Sequence, residues 1–304
     1  GGSAVGGGSA VGGGSAVDGG TGDLWAVALE SGTTFNGAAI DASGNVFVVG
    51  ATSAAISQQP YLGNRDAFVR KFSASGTELW TRVFGTVQSD FASVVAVDSA
   101  GNVVVAGGTT GALAPADGGL TDAFVRKYSG NGVELWTQQL ASSGNDSVRD
   151  IAVDSTNSIV IAGTTEGTLP GQLASGNEDA FISAFSPGGT VLWTQQFGTS
   201  AADSAARLSI DVFNSIFVVG STGGPLAPQT PGGGIDGFTA KYDSGGNLIW
   251  QRQFGGTGSD FADVVVENAQ LRRLLDDPFL FRVGAGLPLA GPSSRRGVLH
   301  AAQP

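Results

Sequence analysis

An all-β fold built from repeated antiparallel sheets follows from three features of the 304-residue sequence. Tryptophans recur at Trp25, Trp80, Trp136, Trp193 and Trp250, in steps of 55 to 57 residues. A second series, Asp41, Asp98, Asp154 and Asp211, keeps almost the same step. Each period also holds four short apolar runs separated by turn residues, with no helical segment between periods. Two independent markers on one period are the signature of tandem repeats. Four antiparallel strands per period describe a blade, and blades set around a common axis make a β-propeller.

The second copy shows the runs in order: "NVVVAGGTT" (Asn102 to Thr110), "DAFVRKY" (Asp122 to Tyr128), "ELWTQQL" (Glu134 to Leu140) and "VRDIAVD" (Val148 to Asp154). Valine, isoleucine, phenylalanine and tryptophan dominate them, as pleated surfaces prefer. In "AFVRKY" Phe124 and Arg126 face one way and Val125 and Lys127 the other. The hairpin turns carry Gly-Asn after Asp41 and Asp98, and Asn-Ser after Asp154 and Asp211. Glycine and asparagine accept the positive φ of tight turns.

The first run is short, glycine-rich and nearly uncharged, which places it nearest the axis. Blades starting there give four complete ones from about Asn45 to Glu267. The two earlier strands, Trp25 to Glu30 and Phe35 to Asp41, then read as the outer half of a further blade, so the expected ring is incomplete. Residues 1–20 repeat Gly-Gly-Ser-Ala-Val, too small a set of side chains to offset the entropy of ordering, and read as a flexible linker. Residues 21–267 carry the repeats. Residues 268–304 hold five arginines against Asp276 and Asp277, lack every repeat marker, and are expected to be a poorly ordered, truncated or added end.

Composition narrows the chemistry. Fifty glycines and 13% charged residues suit short strands and tight turns. The absence of cysteine excludes disulfides and thiolate sites, and the absence of methionine leads to the expectation of a processed product or fragment. A net charge of −11, concentrated outside the arginine-rich tail, opposes nucleic-acid binding. No run of about 18 apolar residues offers a membrane span.

The recurrent residues divide into packing and turn roles. One tryptophan per period fits sheet-to-sheet packing better than sugar stacking, which seldom needs every blade alike. The hairpin aspartates, the strand-start series Asp66, Asp122, Asp179 and Asp236, and the loop series Asp90, Asp146, Asp203 and Asp260 fit capping of backbone N–H groups. A calcium site is the sharper alternative, but no copy holds the dense acidic cluster it needs. The pairs Arg70-Lys71 and Arg126-Lys127 read as solvated surface. The sole histidine, His300, lies in the tail, so no Ser-His-Asp triad forms within the blades. A pair of carboxylates for glycoside hydrolysis stays open on inventory.

The pattern Ser89-Asp90-Phe91, Ala96-Val97-Asp98, Gly101-Asn102 and Asp122-Ala123-Phe124, repeated over residues 21–267, resembles the SBBP family of bacterial seven-bladed β-propeller repeats. That resemblance implies an exported or surface-exposed bacterial protein and no particular reaction. Gly76-x-x-x-Trp80, Gly132-x-x-x-Trp136, Gly189-x-x-x-Trp193 and Gly246-x-x-x-Trp250 are similar to the tryptophan-docking motif of quinoprotein propellers. The cofactor pocket and calcium signature of those enzymes are not found, and the Asp-box of sialidases is matched only in part. The expectation is a non-enzymatic scaffold or adhesive module without a cofactor, holding a protein or glycan on the variable loops Ser53–Arg65, Gly111–Thr121, Glu166–Glu178 and Gly223–Ile235. A quinoprotein-like oxidoreductase or a glycan-cleaving propeller is the alternative.

Overall fold

The computed structural model describes residues 30–115, 118–226 and 232–262. Residues 1–20 and 268–304, with Trp25 and His300, lie outside the described residues. Among the described residues, sixteen strands form four antiparallel four-stranded sheets, each made of four consecutive strands. The first sheet holds β1 (Thr33–Ile40), β2 (Val46–Thr52), β3 (Asp66–Phe72) and β4 (Glu78–Phe84). The second holds β5 (Asp90–Val97), β6 (Val103–Thr109), β7 (Asp122–Tyr128) and β8 (Glu134–Leu140). The third holds β9 (Asp146–Val153), β10 (Ile159–Thr165), β11 (Asp179–Phe185) and β12 (Val191–Phe197). The fourth holds β13 (Asp203–Ile210), β14 (Ile216–Thr222), β15 (Asp236–Tyr242) and β16 (Leu248–Phe254). No helix of the described residues is long and apolar enough to cross a membrane.

Each first strand from β5 onward lies against the preceding sheet. Strand β5 packs on β1, β2 and β3, β9 on β5, β6 and β7, and β13 on β9, β10 and β11. First strands therefore touch in succession, while the fourth strands share no contact of that extent. Sheets converging on one edge and fanning out at the other are propeller blades, here four in an open arc.

This grouping corrects the expected blade phase. The run "VRDIAVD" opens the third sheet through β9 instead of closing the second, and Phe35 to Ile40 belongs to the first full sheet. The complete blades span 33–254, not 45–267. The axis-side strand is the one after each inter-blade connection, and the glycine-rich valine run is second. The reason is burial. Val103, Val104, Val105 and Ala106 of β6 are all fully buried, because β6 has a strand on each edge and a sheet against each face. A strand enclosed in this way reads as continuous apolar sequence whether or not it lines the axis.

Three cores fill the three inter-sheet spaces. Phe47, Val69, Phe84, Val105 and Phe124 fill the first, Val104, Val125, Ile161 and Phe181 the second, and Ile182, Val218 and Phe238 the third. Every first strand carries a β-bulge, where its register slips by one residue: at Asn36, Ser93, Arg149 and Ala206. The residue facing each bulge is glycine: Gly50, Gly107, Gly163 and Gly220. A bulge bends its strand and tightens the local twist, which lets the axis strands crowd together.

Candidate functional site

Antiparallel order puts the four long loops and the connections between sheets at one end of the arc, and the Asp-headed hairpins at the other. At the loop end each loop is moored by an aspartate to the backbone four residues upstream. Leu62 N donates to Asp66 Oδ2 (2.6 Å), Gly118 N to Asp122 (3.2 Å), Ser175 N to Asp179 (2.7 Å) and Gly232 N to Asp236 (2.8 Å). The connections repeat the device: Thr86 N donates to Asp90, Ser142 N to Asp146, Thr199 N to Asp203 and Gly256 N to Asp260. At the other end, Oδ1 of Asp41, Asp98, Asp154 and Asp211 each accepts two backbone N–H groups of its own hairpin. All three aspartate series cap turns.

The structure adds what the sequence reading missed. Gln139, Gln196 and Gln253 on the fourth strands donate to Asp122, Asp179 and Asp236 and accept from the loop N–H of Leu113, Leu169 and Leu226. The signal was present as a glutamine at the sixth position of those three strands. The first sheet has Val83 at that place, and its loop is held by Ile56 packed on Phe68 and Val83.

The two aspartate series at the loop end also meet. Asp66 Oδ1 and Asp90 Oδ2 each lie 2.7 Å from the point where a Cβ on Gly85 would stand, and Asp179 and Asp203 flank Gly198 in the same way. Burial, with Asp90 nearby, raises the Asp66 carboxyl above the usual range even though Leu62 N bonds it. Burial likewise raises Asp146 and Asp203, each facing a neighbouring carboxylate. Asp66 Oδ1 has no hydrogen-bond partner among the described residues. Among the described residues no three acidic or histidine side chains gather as a metal would require. Asp66, Asp90, Asp146, Asp179 and Asp203 are buried, and each accepts a hydrogen bond from loop backbone.

A carboxyl with a raised folded pKa binds more protons folded than unfolded, so its contribution to stability falls as pH rises through that window. Asp66→Asn keeps an acceptor for Leu62 N and turns an amide toward Asp90. It is expected to raise stability by about 1 kcal/mol at neutral pH, the net worth of one hydrogen bond. The gain should vanish below the ordinary carboxylate range, where wild-type Asp66 is protonated in both states. Denaturant melts at pH 7 and pH 3 check this, and equal gains at both would refute it.

At the hairpin end the tryptophans clasp successive sheets. Trp80 Nε1 donates to Gly130 O, Trp136 Nε1 to Pro187 O and Trp193 Nε1 to Ser244 O, each at 3.0 Å. Their rings lie on the positive-φ glycines Gly132, Gly189 and Gly246 of the next sheet, where an added Cβ would stand 2.6–2.9 Å from ring carbon. Glycine is required twice over, by φ and by contact. Inter-blade packing is thus the role of Trp80, Trp136 and Trp193. Trp250 packs edge-on against Phe217 within its own sheet.

The basic pairs are not solvated. Arg70, Lys71, Arg126 and Lys127 are all buried. Arg70 pairs with Glu30 (3.0 Å), Arg126 with Glu134 (3.5 Å), Lys71 with Asp41 (3.5 Å) and Lys127 with Asp98 (2.8 Å). The two members of each pair do face opposite ways, as alternation requires, but every one of the four meets a carboxylate, and Lys71, Arg126 and Lys127 also meet a neighbouring sheet. Lys71 Nζ and Lys127 Nζ also donate to Gly130 O and Pro187 O, the carbonyls that take the tryptophan N–H.

No family model matches the chain. Regulatory protein FlaEY of Caulobacter vibrioides is 30% identical over 202 residues, covering 59% of this chain and 21% of that protein. An uncharacterised WD repeat-containing protein of Acanthamoeba polyphaga mimivirus is 27% identical over 165 residues, covering 45% of this chain and 12% of its own length. The chain therefore spans about a fifth or less of these relatives. Among solved structures, a Bacteroides caccae protein of unknown function is similar at TM-score 0.43 and 14% identity, over 76% of this chain and 71% of that one. A gluconolactonase of Xanthomonas campestris is similar at TM-score 0.39 and 16% identity, over 74% and 64%. Likenesses of this degree say nothing about activity.

Proposed function

We propose that the chain is a non-enzymatic propeller module of a bacterial surface or secreted protein, akin to SBBP repeats, and that it holds a macromolecular partner on its loop end. One observation carries this reading. The loops differ in sequence and display exposed apolar side chains (Tyr61, Leu62, Leu120 and Leu173) on frames fixed by buried aspartates and glutamines. Leu173 keeps 85% of its surface exposed, with no packing return among the described residues. Variable side chains on a rigid base are how a scaffold presents a binding surface. The loop carboxylates serve as moorings, which supports binding over catalysis.

The test is a glycan and peptide array probed with the protein and with a variant carrying Tyr61→Ser, Leu62→Ser, Leu120→Ser and Leu173→Ser. These exposed positions should leave stability within about 0.5 kcal/mol per site. Array signals that disappear in the variant at unchanged Tm are the expected result. Signals indifferent to the variant, or quinone retention and spectral change with pyrroloquinoline quinone and calcium, would count against the reading.

A further inference from the structure

The contact between the third and fourth sheets lacks a cation that the two preceding contacts possess. Ala184 stands opposite Trp193 in register, as Lys71 stands opposite Trp80 and Lys127 opposite Trp136. The carboxylate that such a lysine would meet is retained as Asp154. Its Oδ1 accepts Thr156 N and Ser158 N, as in the other hairpins, and Thr156 Oγ1 in addition. Its Oδ2 has lost both customary donors. Ser158 replaces the asparagines that donate to Asp41 Oδ2 and Asp98 Oδ2, and Ala184 replaces the lysine. Ser244 O takes Trp193 Nε1 but no ammonium, unlike Gly130 O and Pro187 O. In the fourth sheet Lys241 again fills the lysine position, 5.0 Å from the Phe217 ring centroid.

What remains between the sheets is a cavity of about 220 Å³, bounded by Asp154, Val160 and Ala184 on one side and Asn214, Ile216 and Ser244 on the other. A cavity of about 150 Å³ holds benzene, so this one accommodates a chain of four or five carbons. Thr156 at its rim is exposed, which gives entry from solvent. The lining has an apolar floor, one carboxylate oxygen without a hydrogen bond to the described residues, and one carbonyl placed as a second acceptor. An alkyl stem with a terminal –NH₃⁺ matches all three, because that is the group two sister interfaces carry covalently.

We propose that this cavity is a binding site for a primary alkylammonium group, either a free alkylamine or a lysine side chain of another protein. The ammonium would bridge Asp154 Oδ2 and Ser244 O, and its stem would lie on Val160 and Ala184. The site lies at the hairpin end, so it stands or falls separately from the loop surface.

The probes are n-butylammonium chloride, n-butanol, sodium chloride and Nα-acetyl-lysine methylamide, titrated at constant ionic strength into the full chain. Saturable binding with a rise in Tm is expected for butylammonium and not for butanol or sodium. Ala184→Lys should raise Tm unaided and abolish the butylammonium response, by supplying the missing cation. Asp154→Asn, which preserves an Oδ1 acceptor for the turn, should weaken butylammonium at least tenfold and leave any butanol response unchanged. That second variant decides the matter if Ala184→Lys does not fold. Butylammonium binding alone identifies a free amine as the ligand, and binding of the lysine amide identifies a partner's side chain. Equal responses to butylammonium and butanol, no response to either amine, or binding unaffected by Asp154→Asn would overturn the proposal.

Discussion

Gly163→Ala is expected to lower stability by about 3 kcal/mol, the upper part of the range for overpacking a core, and Tm by roughly 6–12 °C. The cause is not lost flexibility, for Gly163 has no positive φ. A Cβ there would lie 1.9 Å from the carbonyl oxygen of Ser147 and 3.0 Å from Phe181. The carbonyl belongs to the bulged strand β9 and is fixed by pairing on β10, so it does not yield as a side chain would. Relief requires the bulge to open, and with it the contact of β9 on the preceding sheet. Gly50, Gly107 and Gly220 stand in the same relation to Thr34, Phe91 and Ser204, with approaches of 1.8 to 2.0 Å. Gly258→Ala, where an added Cβ meets nothing within 4 Å, should fall within about 0.5 kcal/mol of wild type. Equal midpoints for the two variants in urea would show that the bulge relaxes freely.

Lys127→Met is expected to cost about 3 kcal/mol at neutral pH, the lower end for removing one partner of a buried ion pair. The side chains of Lys127 and Asp98 are 3% and 2% exposed and 2.8 Å apart. Methionine keeps the stem and strands the carboxylate, whose Oδ2 retains only Asn102. Burial by itself would raise the Asp98 carboxyl, but Lys127 and Asn102 outweigh it and hold the group below its ordinary value. A depressed folded pKa means stability that is present above the unfolded pKa and is lost as pH falls through the folded one. Wild type and variant should therefore converge in acid. Adding Asp98→Asn to Lys127→Met should recover part of the loss at pH 7. A cost that persists undiminished in acid would assign it to packing.

The repeats and their strand order were legible because two markers, Trp and Asp, survive in every copy. The phase was not, since the second strand is enclosed on both edges and both faces and so resembles an axis strand in composition. Burial of Arg70 and Lys127 was hidden for another reason. Their partners Glu30 and Asp98 lie 40 and 29 residues away in the chain and are brought near only by pairing across the sheet. Alternation correctly assigns the two faces of a strand but does not say what each face meets. The change of Lys to Ala at position 184 was visible as variation between copies. Its meaning needed the register that sets Ala184 beside Val160 and opposite Trp193.

The tryptophan clasp has a sense of direction: Trp80, Trp136 and Trp193 each reach forward to the next sheet's turn, and the turns of the second, third and fourth sheets receive from behind. A module therefore carries half of every joint on each side, like a link with a hook and an eye. Duplicating or deleting one of these periods in the gene would still leave each such indole a glycine turn to meet. Such a chain is able to change its number of units during evolution without inventing a new contact.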